Sequence, residues 1–405
     1  MTKKNIKSWR SGFHVLVTDV HALGAIAVVR SLGRAGYRVH ACDSDSNAVG
    51  LQSRYVTASI VAPDYSDAAF IDWLRRYLSE NSIRLIIPSE GFLHAIRPWF
   101  SEFQRFLPLS DDPEIVYRAF SKIDVSDCFS KLSTAANICE HLPPTLIVRE
   151  GDALPTQEQL EALGVPVYIK SDVEYSIMGN ESLLVRVTTA SAVADAIQRA
   201  LESHRAIMVQ GFVPGMKAAL AFCIKNGKVL ATSGVLGLRM NPHTGGMMCL
   251  RKSVTDILPE AICRGWLEHL EWEGVAMIEC KWDPATNRFW FIELNSRYWG
   301  YLHLDLYSGI DMPRIQADAF FGVLEQSPPV QRLGVLVRHI VPGDVGFLRS
   351  LLKDERVTLG RKLRAISRFI LDIFDPRVKS DLWFPGDRML YIRQWQLFFR
   401  DTFRN

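Results

Sequence analysis

The sequence predicts an α/β domain with a parallel sheet, then an α+β region with β-hairpins, and finally a basic, helical C-terminal extension. Three observations support this. Strand and helix signals alternate over residues 12–120, hairpin turns appear further along, and the excess of positive charge lies in the last 75 residues. A length of 405 residues is enough for two or three such domains.

The first region has the element order of a Rossmann-like sheet. A buried strand is predicted over 13–18, and apolar residues recur at helical spacing over 25–35, with Gly36 as the C-cap. A second strand over 37–43 ends in Asp43, a helix follows over 70–81, and a third strand covers 83–88. This order predicts a Rossmann-like domain over residues 1–120.

A dinucleotide site is one hypothesis for this domain. Asp43 ends the second strand, where an acidic residue holds a ribose in such sites. The first turn, however, reads Asp19-Val-His-Ala-Leu-Gly24 and lacks the GxGxxG glycines. The sequence therefore disfavours an NAD-dependent oxidoreductase.

The second region mixes helices with hairpins. A strand over 167–170 ends in Lys170, and another strand covers 206–213. The strands predicted over 219–224 and 228–232 flank Asn226-Gly227, which is a strong hairpin turn.

Composition and charge exclude several classes. Hydrophobic residues make up 48% and charged residues 22%, as in folded globular proteins, and a net charge of +3 gives no reason to expect nucleic-acid binding. Seven scattered cysteines without a CxxC pair argue against disulfides and zinc clusters. Neither a signal peptide nor a transmembrane segment is predicted, so we expect a cytoplasmic protein.

The most informative stretch is a predicted hairpin over 275–297. Two apolar alternating runs flank the turn residues 283–287, and centring the hairpin near Thr286 places Glu279 opposite Glu293. Asn295 shares a face with Glu293, while the other face is expected to carry apolar side chains: Ile278, Cys280, Trp282, Trp290, Ile292 and Leu294.

Facing carboxylates destabilise a β-ladder unless something neutralises them. Two carboxylates and an amide oxygen suit Mg²⁺, or alternatively Mn²⁺, rather than zinc. Register alone leaves two interpretations open, a metal site at Glu279, Glu293 and Asn295 or a solvated polar face.

With this hairpin, the sequence resembles the ATP-grasp superfamily, and more narrowly its carboxylate–amine ligase-like members. The likeness is strongest at Glu279 and over 293–300, which reads Glu-Leu-Asn-Ser-Arg-Tyr-Trp-Gly. The resemblance implies a Rossmann-like pre-ATP-grasp domain over 1–120, and a two-lobed ATP-grasp domain over 121–330 with lobes of about 121–205 and 206–330. The basic C-terminal extension would then cover 331–405.

The resemblance also implies site residues. Glu279, Glu293 and Asn295 would hold Mg²⁺, and Arg297 would face the transferred phosphate. Lys122 and Lys170 would contact the phosphates of ATP, with Lys170 counted among the catalytic groups. The stretch 208–215 resembles the adenine-binding hinge and the stretch 239–246 a segment near the acceptor pocket, which suggests these further contacts: Gln210, Phe212 and Val213 for ATP, and Arg239, His243 and Arg251 for the substrate.

The function that the resemblance implies is ATP-dependent ligation. A carboxylate would become an acyl phosphate, an amine would displace the phosphate, and ADP and phosphate would leave. The partners would be small-molecule carboxylates and amines, and a homodimer is compatible with the family. The loop over 171–180 departs from the family pattern, since it retains Gly179 alone and carries Asp172 and Glu174. This departure motivates the alternative, a non-catalytic or divergent ATP-binding protein.

Positive charge is concentrated in the C-terminal extension. From residue 331 onward there are 15 Lys/Arg and 8 Asp/Glu, a net charge of +7. The stretch 361–372 is basic and amphipathic. Two interpretations stay open, a helix packed on the core with solvated arginines and a contact with an acidic partner or a membrane surface.

Overall fold

A computed structural model describes residues 8–136, 139–172, 183–255, 259–323 and 328–404. Most of the loop over 171–180, including Glu174 and Gly179, lies outside the described residues. The described part contains three β-sheets, with helices packed around them and a helical C-terminal region, which confirms the predicted mixed α/β and α+β class.

The first sheet is parallel, with the strand order β3-β2-β1-β4. Its elements match the predicted Rossmann-like order closely, and Gly36 ends the first helix in the left-handed conformation. The elements of this domain are β1 (His14–Val17), α1 (Leu23–Ala35), β2 (Arg38–Asp43), β3 (Val56–Val61), α2 (Phe70–Glu80), β4 (Ile83–Ile87), α3 (Glu90–Ile96), α4 (Phe100–Phe103) and α5 (Pro113–Arg118).

The second sheet is a small antiparallel one, with the strand order β5-β8-β6-β7. It has a hydrophobic core of its own, built around Val167, Ile169, Ile197 and Val209. Strand β8 lies inside this sheet, so the sheet extends past the lobe boundary expected near residue 206. Its elements are α6 (Lys122–Ala135), β5 (Thr145–Arg149), α7 (Gln157–Leu163), β6 (Val167–Ser171), β7 (Leu184–Val187), α8 (Val193–Leu201) and β8 (Ala206–Gly211).

The third sheet has seven strands in the order β13-β12-β9-β10-β11-β14-β15. Its cores are continuous with those of the first sheet, since Leu16 and Phe222 belong to one buried cluster and Val15 and Trp299 to another. Its elements are β9 (Met216–Lys225), β10 (Lys228–Asn241), β11 (Met247–Ser253), α9 (Glu260–His269), β12 (Gly274–Asp283), β13 (Arg288–Asn295), α10 (Leu302–Ser308) and α11 (Met312–Phe320).

The C-terminal extension completes this third sheet. Strand β14 pairs with β11, and β15 pairs with β14 at the sheet edge. Arg30 of α1, in the first domain, donates a hydrogen bond to Asp387 of the extension, so the extension also contacts that domain. Its elements are β14 (Leu336–Arg338), α12 (Val345–Lys353), α13 (Leu359–Phe374), β15 (Val378–Ser380) and α14 (Met389–Arg404).

Candidate active site

The facing carboxylates lie where the hairpin register predicts. Strands β12 and β13 pair Glu279 with Glu293 and Met277 with Asn295. The Asn295 side-chain amide donates to Glu293 Oε1 at 3.2 Å, which places the two residues on one face of the sheet. Glu279 is buried. This face therefore presents two opposed carboxylates and an amide, an oxygen-rich set that fits a hard cation such as Mg²⁺.

The opposite face of the hairpin differs from the prediction. A β-bulge follows the Glu279–Glu293 pair, so that Cys280 pairs with Phe291. The extra residue reverses the inward and outward alternation of β13 toward the turn. Phe289 and Phe291 consequently pack in the core beside Cys280, and the expectation that Trp290 and Ile292 would fill this apolar face was wrong.

Two lysines stand on the carboxylate face of the neighbouring strands. Lys217 of β9 and Lys281 of β12 are direct cross-strand neighbours. Lys217 Nζ lies 2.6 Å from Glu279 Oε1, and Lys281 Nζ donates to the carbonyl oxygen of Gly215 at 3.3 Å. Like charges thus face each other twice on adjacent ladders, once as ammonium groups and once as carboxylates, which is unfavourable in an isolated sheet.

The small sheet contributes a third lysine. Lys170, on β6, donates from Nζ to Gln210 Oε1 at 2.8 Å. Burial lowers the pKa of Lys170, against the opposite influence of Glu293 and Glu279. Gln210 is buried and donates in turn to Thr145 Oγ1 at 3.3 Å, so it orients this lysine. The predicted adenine contact of Gln210 remains a prediction.

Lys122 begins helix α6, and Asp172 fixes the start of that helix. The Asp172 carboxylate accepts from the Ser121 hydroxyl at 2.8 Å and from the Ile123 N–H at 3.0 Å. The Asp172 carbonyl oxygen accepts from the Lys122 N–H at 3.0 Å. Asp172 therefore stabilises the N-terminus of helix α6, a role that the loop sequence did not indicate.

The local charges push the two glutamates apart in pKa. Burial raises the pKa of Glu279 to about 7, although Lys217 opposes the shift and Glu293 adds to it. Burial also acts on Glu293, but Lys217 and Lys170 outweigh it and lower the pKa of that carboxyl. The cluster therefore favours the ionised form of Glu293, whereas burial disfavours the ionised form of Glu279.

The cleft between the small sheet and the hairpin is closed. Lys122, Met208, Gln210 and the 291–294 segment line a cavity of about 20 Å³. Such a volume holds about one water molecule, so nucleotide binding here requires the lobes or their side chains to move. Of the predicted hinge residues, Phe212 donates its N–H to Pro166 O at 3.1 Å, half of its side chain is exposed, and Val213 is buried.

A larger cavity adjoins Arg297. It has a volume of about 500 Å³ and is lined by Thr18, Asp19, Ser89, Glu90 and Arg297. Thr18 and Ser89 follow the carboxyl ends of β1 and β4, between which the strand order of the parallel sheet reverses. Ligands of open α/β sheets bind in this position. Arg297 Nε lies 3.2 Å from Glu90 Oε2, which joins the cavity to the carboxylate hairpin.

The carboxylate of Asp43 makes its contacts within the first domain. Its carboxylate accepts from the His21 N–H at 2.8 Å and lies 2.9 Å from His21 Nδ1. Asp19, nearby, accepts from the Tyr65 hydroxyl at 2.7 Å. These contacts hold both carboxylates within the first domain.

The three predicted substrate contacts anchor the C-terminal extension. Arg239 binds Asp344 at 2.9 Å and also contacts Asp372, and Arg251 contacts Asp381. His243 Nε2 lies 3.1 Å from Asp354 Oδ2. These charges meet carboxylates of the extension and Arg251 is almost fully buried, which gives Arg239, His243 and Arg251 a structural role; their substrate contacts stay predictions.

Sequence reasoning did not predict the contacts that Lys217, Lys281 and Glu90 make at the candidate site. The lysines could have been found by extending strand periodicity across β9 and β12, but only with the register between those strands known. Glu90 lies in the first domain, 207 residues from Arg297, and carries no local signal of the contact.

Several solved structures resemble this chain over most of its length. N5-carboxyaminoimidazole ribonucleotide synthetase from Thermus thermophilus matches with a TM-score of 0.58 and 18% identity, over 78% of this chain and 81% of that one. Biotin carboxylase from Campylobacter jejuni gives 0.58 and 16%, over 80% and 74%. L-amino acid ligase from Bacillus licheniformis gives 0.53 and 15%, over 76% and 74%.

These likenesses establish the fold. The chain shares the fold of these enzymes, as the resemblance to the ATP-grasp superfamily implied. No family model matches the sequence, and no curated protein matches it either. Among the described residues, no helix is long and apolar enough to cross a membrane.

Proposed function

We propose that the protein is an ATP-dependent ligase that activates a carboxylate as an acyl phosphate and joins it to an amine. The observation that carries this proposal is the charge cluster between the two lobes. Two opposed carboxylates on the large sheet share one site with Lys217, and they act on the pKa of Lys170 from the small sheet. An arrangement in which like charges face each other fits a polyanion bound together with cations.

The residues of the chain have distinct roles in this proposal. Lys122 and Lys170 bind the phosphates of ATP, and Gln210 holds Lys170 in place. Glu279, Glu293 and Asn295 would hold Mg²⁺, or alternatively Mn²⁺, which supplies neutralisation of phosphate charge when bound. Arg297 stabilises the negative charge of the transferring group. No nucleophilic side chain is needed, because phosphoryl transfer depends mainly on positioning and electrostatics.

The large cavity is the proposed acceptor pocket. It extends from the carboxyl ends of β1 and β4 to Arg297, so a molecule bound there would lie beside the group that faces the acyl phosphate. Glu90 positions Arg297 through its 3.2 Å contact. The carboxylate and amine substrates are small molecules in this proposal, which also keeps the expectation of a cytoplasmic protein.

One observation favours the alternative, a non-catalytic ATP-binding protein. Lys217 supplies Glu279 with a cation from within the chain, at 2.6 Å, and thereby competes with a metal ion for this carboxylate. If Lys217 stays on Glu279 when nucleotide binds, the site loses one oxygen ligand.

The test is turnover by the full-length protein with MgATP and pools of carboxylic acids and amines. We expect release of ADP and phosphate that depends on both pools. Glu293→Gln should lower this rate by at least ~100-fold, because it removes a predicted metal ligand. Glu158→Gln, on the exposed side of α7, is the matched control and should keep the rate. ATP binding by calorimetry without turnover in any pool would identify the alternative, and unchanged turnover in Glu293→Gln would refute the metal assignment.

A further inference from the structure

Helix α13 of the extension leaves an apolar surface in solvent. Six of the 22 exposed large apolar side chains of the described residues lie on these 16 residues, and each is between 48% and 78% exposed. Such a density is unusual for a surface helix, because single exposed apolar residues are common but contiguous patches mark interaction sites. The six are Leu359, Leu363, Ile370, Leu371, Ile373 and Phe374.

The helix is fixed to the body by its other side. Asp372 is buried and contacts Arg239, and the Arg338 guanidinium lies 4.8 Å from the centre of the Phe369 ring. Phe369 and Asp372 are three residues apart and therefore share a face. These two contacts fix the orientation of α13 about its own axis. The exposed apolar side chains therefore face solvent in this orientation.

Four of the six exposed apolar residues form one stripe. Leu359, Leu363, Ile370 and Phe374 are separated by four, seven and four residues, which is the spacing of a single helical face. Lys362 and Arg364 flank this stripe, each about 100° of helical rotation to one side of it, whereas Arg361 and Arg368 lie on the opposite side, where Arg368 pairs with Asp372. Asp372 is the sole acidic residue of α13, so the helix carries a net charge of +3.

We propose that α13 is a docking surface for a membrane that contains anionic lipids. Such a partner offers what the helix presents, an apolar layer for the stripe and a negative surface for the flanking cations. Nucleic acid would meet the charge but offers no apolar phase. A second copy of this chain would meet the stripe, but a symmetric contact would bring the cations of both helices together.

Charge complementarity therefore selects the lipid surface over self-association. The helix would lie in the plane of the interface, in keeping with the finding that no described helix could span a membrane. This inference is independent of the proposed ligase activity, since none of the residues of α13 lines the charge cluster or the cavity beside Arg297.

The test is co-sedimentation of the full-length protein with vesicles. Vesicles of phosphatidylcholine mixed with phosphatidylglycerol should bind the protein, and vesicles of phosphatidylcholine alone should bind it far more weakly. Lys362→Gln combined with Arg364→Gln should weaken binding roughly 30-fold, because each basic residue near an anionic surface contributes about five-fold. The control pair Arg76→Gln and Arg84→Gln removes the same charge from exposed positions of the first domain and should bind like the wild type.

A second variant tests the apolar stripe. Leu363→Glu combined with Phe374→Glu should reduce vesicle binding by at least about 10-fold. Both side chains are exposed, so the fold should tolerate the change, which a thermal melt would check. The control is Val61→Glu, whose side chain is 56% exposed on a different domain.

Two results would overturn the proposal. One is equal binding of wild type and both α13 variants to anionic vesicles. The other is no vesicle binding at all. If light scattering then shows that the wild type is a dimer, and that Leu363→Glu with Phe374→Glu dissociates it, the stripe belongs to a dimer interface.

Discussion

Two clusters of buried or partly buried charge among the described residues differ in how the charges are matched. Around the C-terminal extension, arginines meet carboxylates: Arg30 binds Asp387 at 2.8 Å and Arg338 binds Asp344 at 2.6 Å, with all four side chains almost fully buried. At the candidate active site, like charges oppose each other, as Glu279 opposes Glu293 and Lys217 opposes Lys281.

We interpret the matched charges around the extension as stabilising the fold, and the opposed like charges of the candidate active site as a ligand-binding arrangement. A buried arginine with its carboxylate in hydrogen-bonding contact leaves little for another molecule to bind. Opposed carboxylates and opposed ammonium groups destabilise a ladder, and at the candidate active site the contact of Lys217 with Glu279 offsets only part of this repulsion. The two clusters are therefore expected to differ in their contribution to stability, and substitutions in them should have effects of opposite sign.

The largest effect on folding is expected at the anchoring network. Asp387 accepts from Arg30, from the Ser53 hydroxyl at 2.7 Å and from the Arg54 N–H at 3.0 Å. Asp387→Asn should lower the free energy of unfolding by about 3–5 kcal/mol, because it leaves the buried Arg30 guanidinium without its countercharge. Urea unfolding measures this loss.

An exposed ion pair provides the control. Arg75 and Glu102 are partly exposed and 2.8 Å apart, and Glu102→Gln should cost no more than about 1 kcal/mol. Equal losses in the two variants would mean that the network around Arg30 contributes no more than surface charge does.

A pH effect of intermediate size follows from two histidines in the same network. Burial, together with Arg251, lowers the pKa of His339 to about 3, and burial lowers the pKa of His303 well below its ordinary value. The unfolded chain binds these protons near pH ~6.5, whereas the folded chain does not. Stability is thus intact above that pH and is lost as the pH falls toward 3, by about 1.4 kcal/mol per pH unit for each histidine.

His339→Gln should remove one of these contributions. Between about pH 6.5 and about pH 5.5, the free energy of unfolding of the variant should fall by about 1 kcal/mol less than that of the wild type. The exposed His269→Gln serves as the control and should follow the wild type. Parallel pH profiles for His339→Gln and the wild type would contradict the assignment of a neutral, buried His339.

The smallest effect should be a gain in stability at the active site. Burial and Glu293 outweigh Lys217 and raise the pKa of Glu279, so the ionised carboxylate is disfavoured in the fold and Glu279→Gln should raise the free energy of unfolding by about 1 kcal/mol when no ligand is present. The same variant should lose the stabilisation that MgATP gives the wild type. Thermal melts with and without MgATP measure both, and a destabilised Glu279→Gln variant would remove the proposed contrast with Asp387→Asn.

Much of the fold could be predicted because its signals are local. The helix end at Gly36 and the hairpin turn at Asn226-Gly227 lie within the segments that they shape. The pairing of Glu279 with Glu293 followed from the turn between them, since a short turn determines the register close by.

The sequence could not indicate contacts whose partners are distant along the chain. Arg239 and Arg251 looked available because their carboxylates, Asp372 and Asp381, lie more than 100 residues further along. Lys217 is brought to Glu279 by pairing between β9 and β12, which no local pattern encodes. The bulge at Ile292 has no local signal either, because this β-branched residue fits any position of a strand.

Because of that bulge, odd-numbered positions of β13 require apolar side chains before Ile292 and polar side chains after it. On β13, odd-numbered residues face the core at Phe289 and Phe291, and odd-numbered residues face the site at Glu293 and Asn295. A complete substitution scan of β13 should therefore show a phase reversal at Ile292, with hydrophobic identity required on one side and polar identity on the other. Deleting Ile292 would remove the extra residue, so β13 would alternate regularly, with Phe289 and Phe291 still facing the core and Glu293 and Asn295 still facing the site.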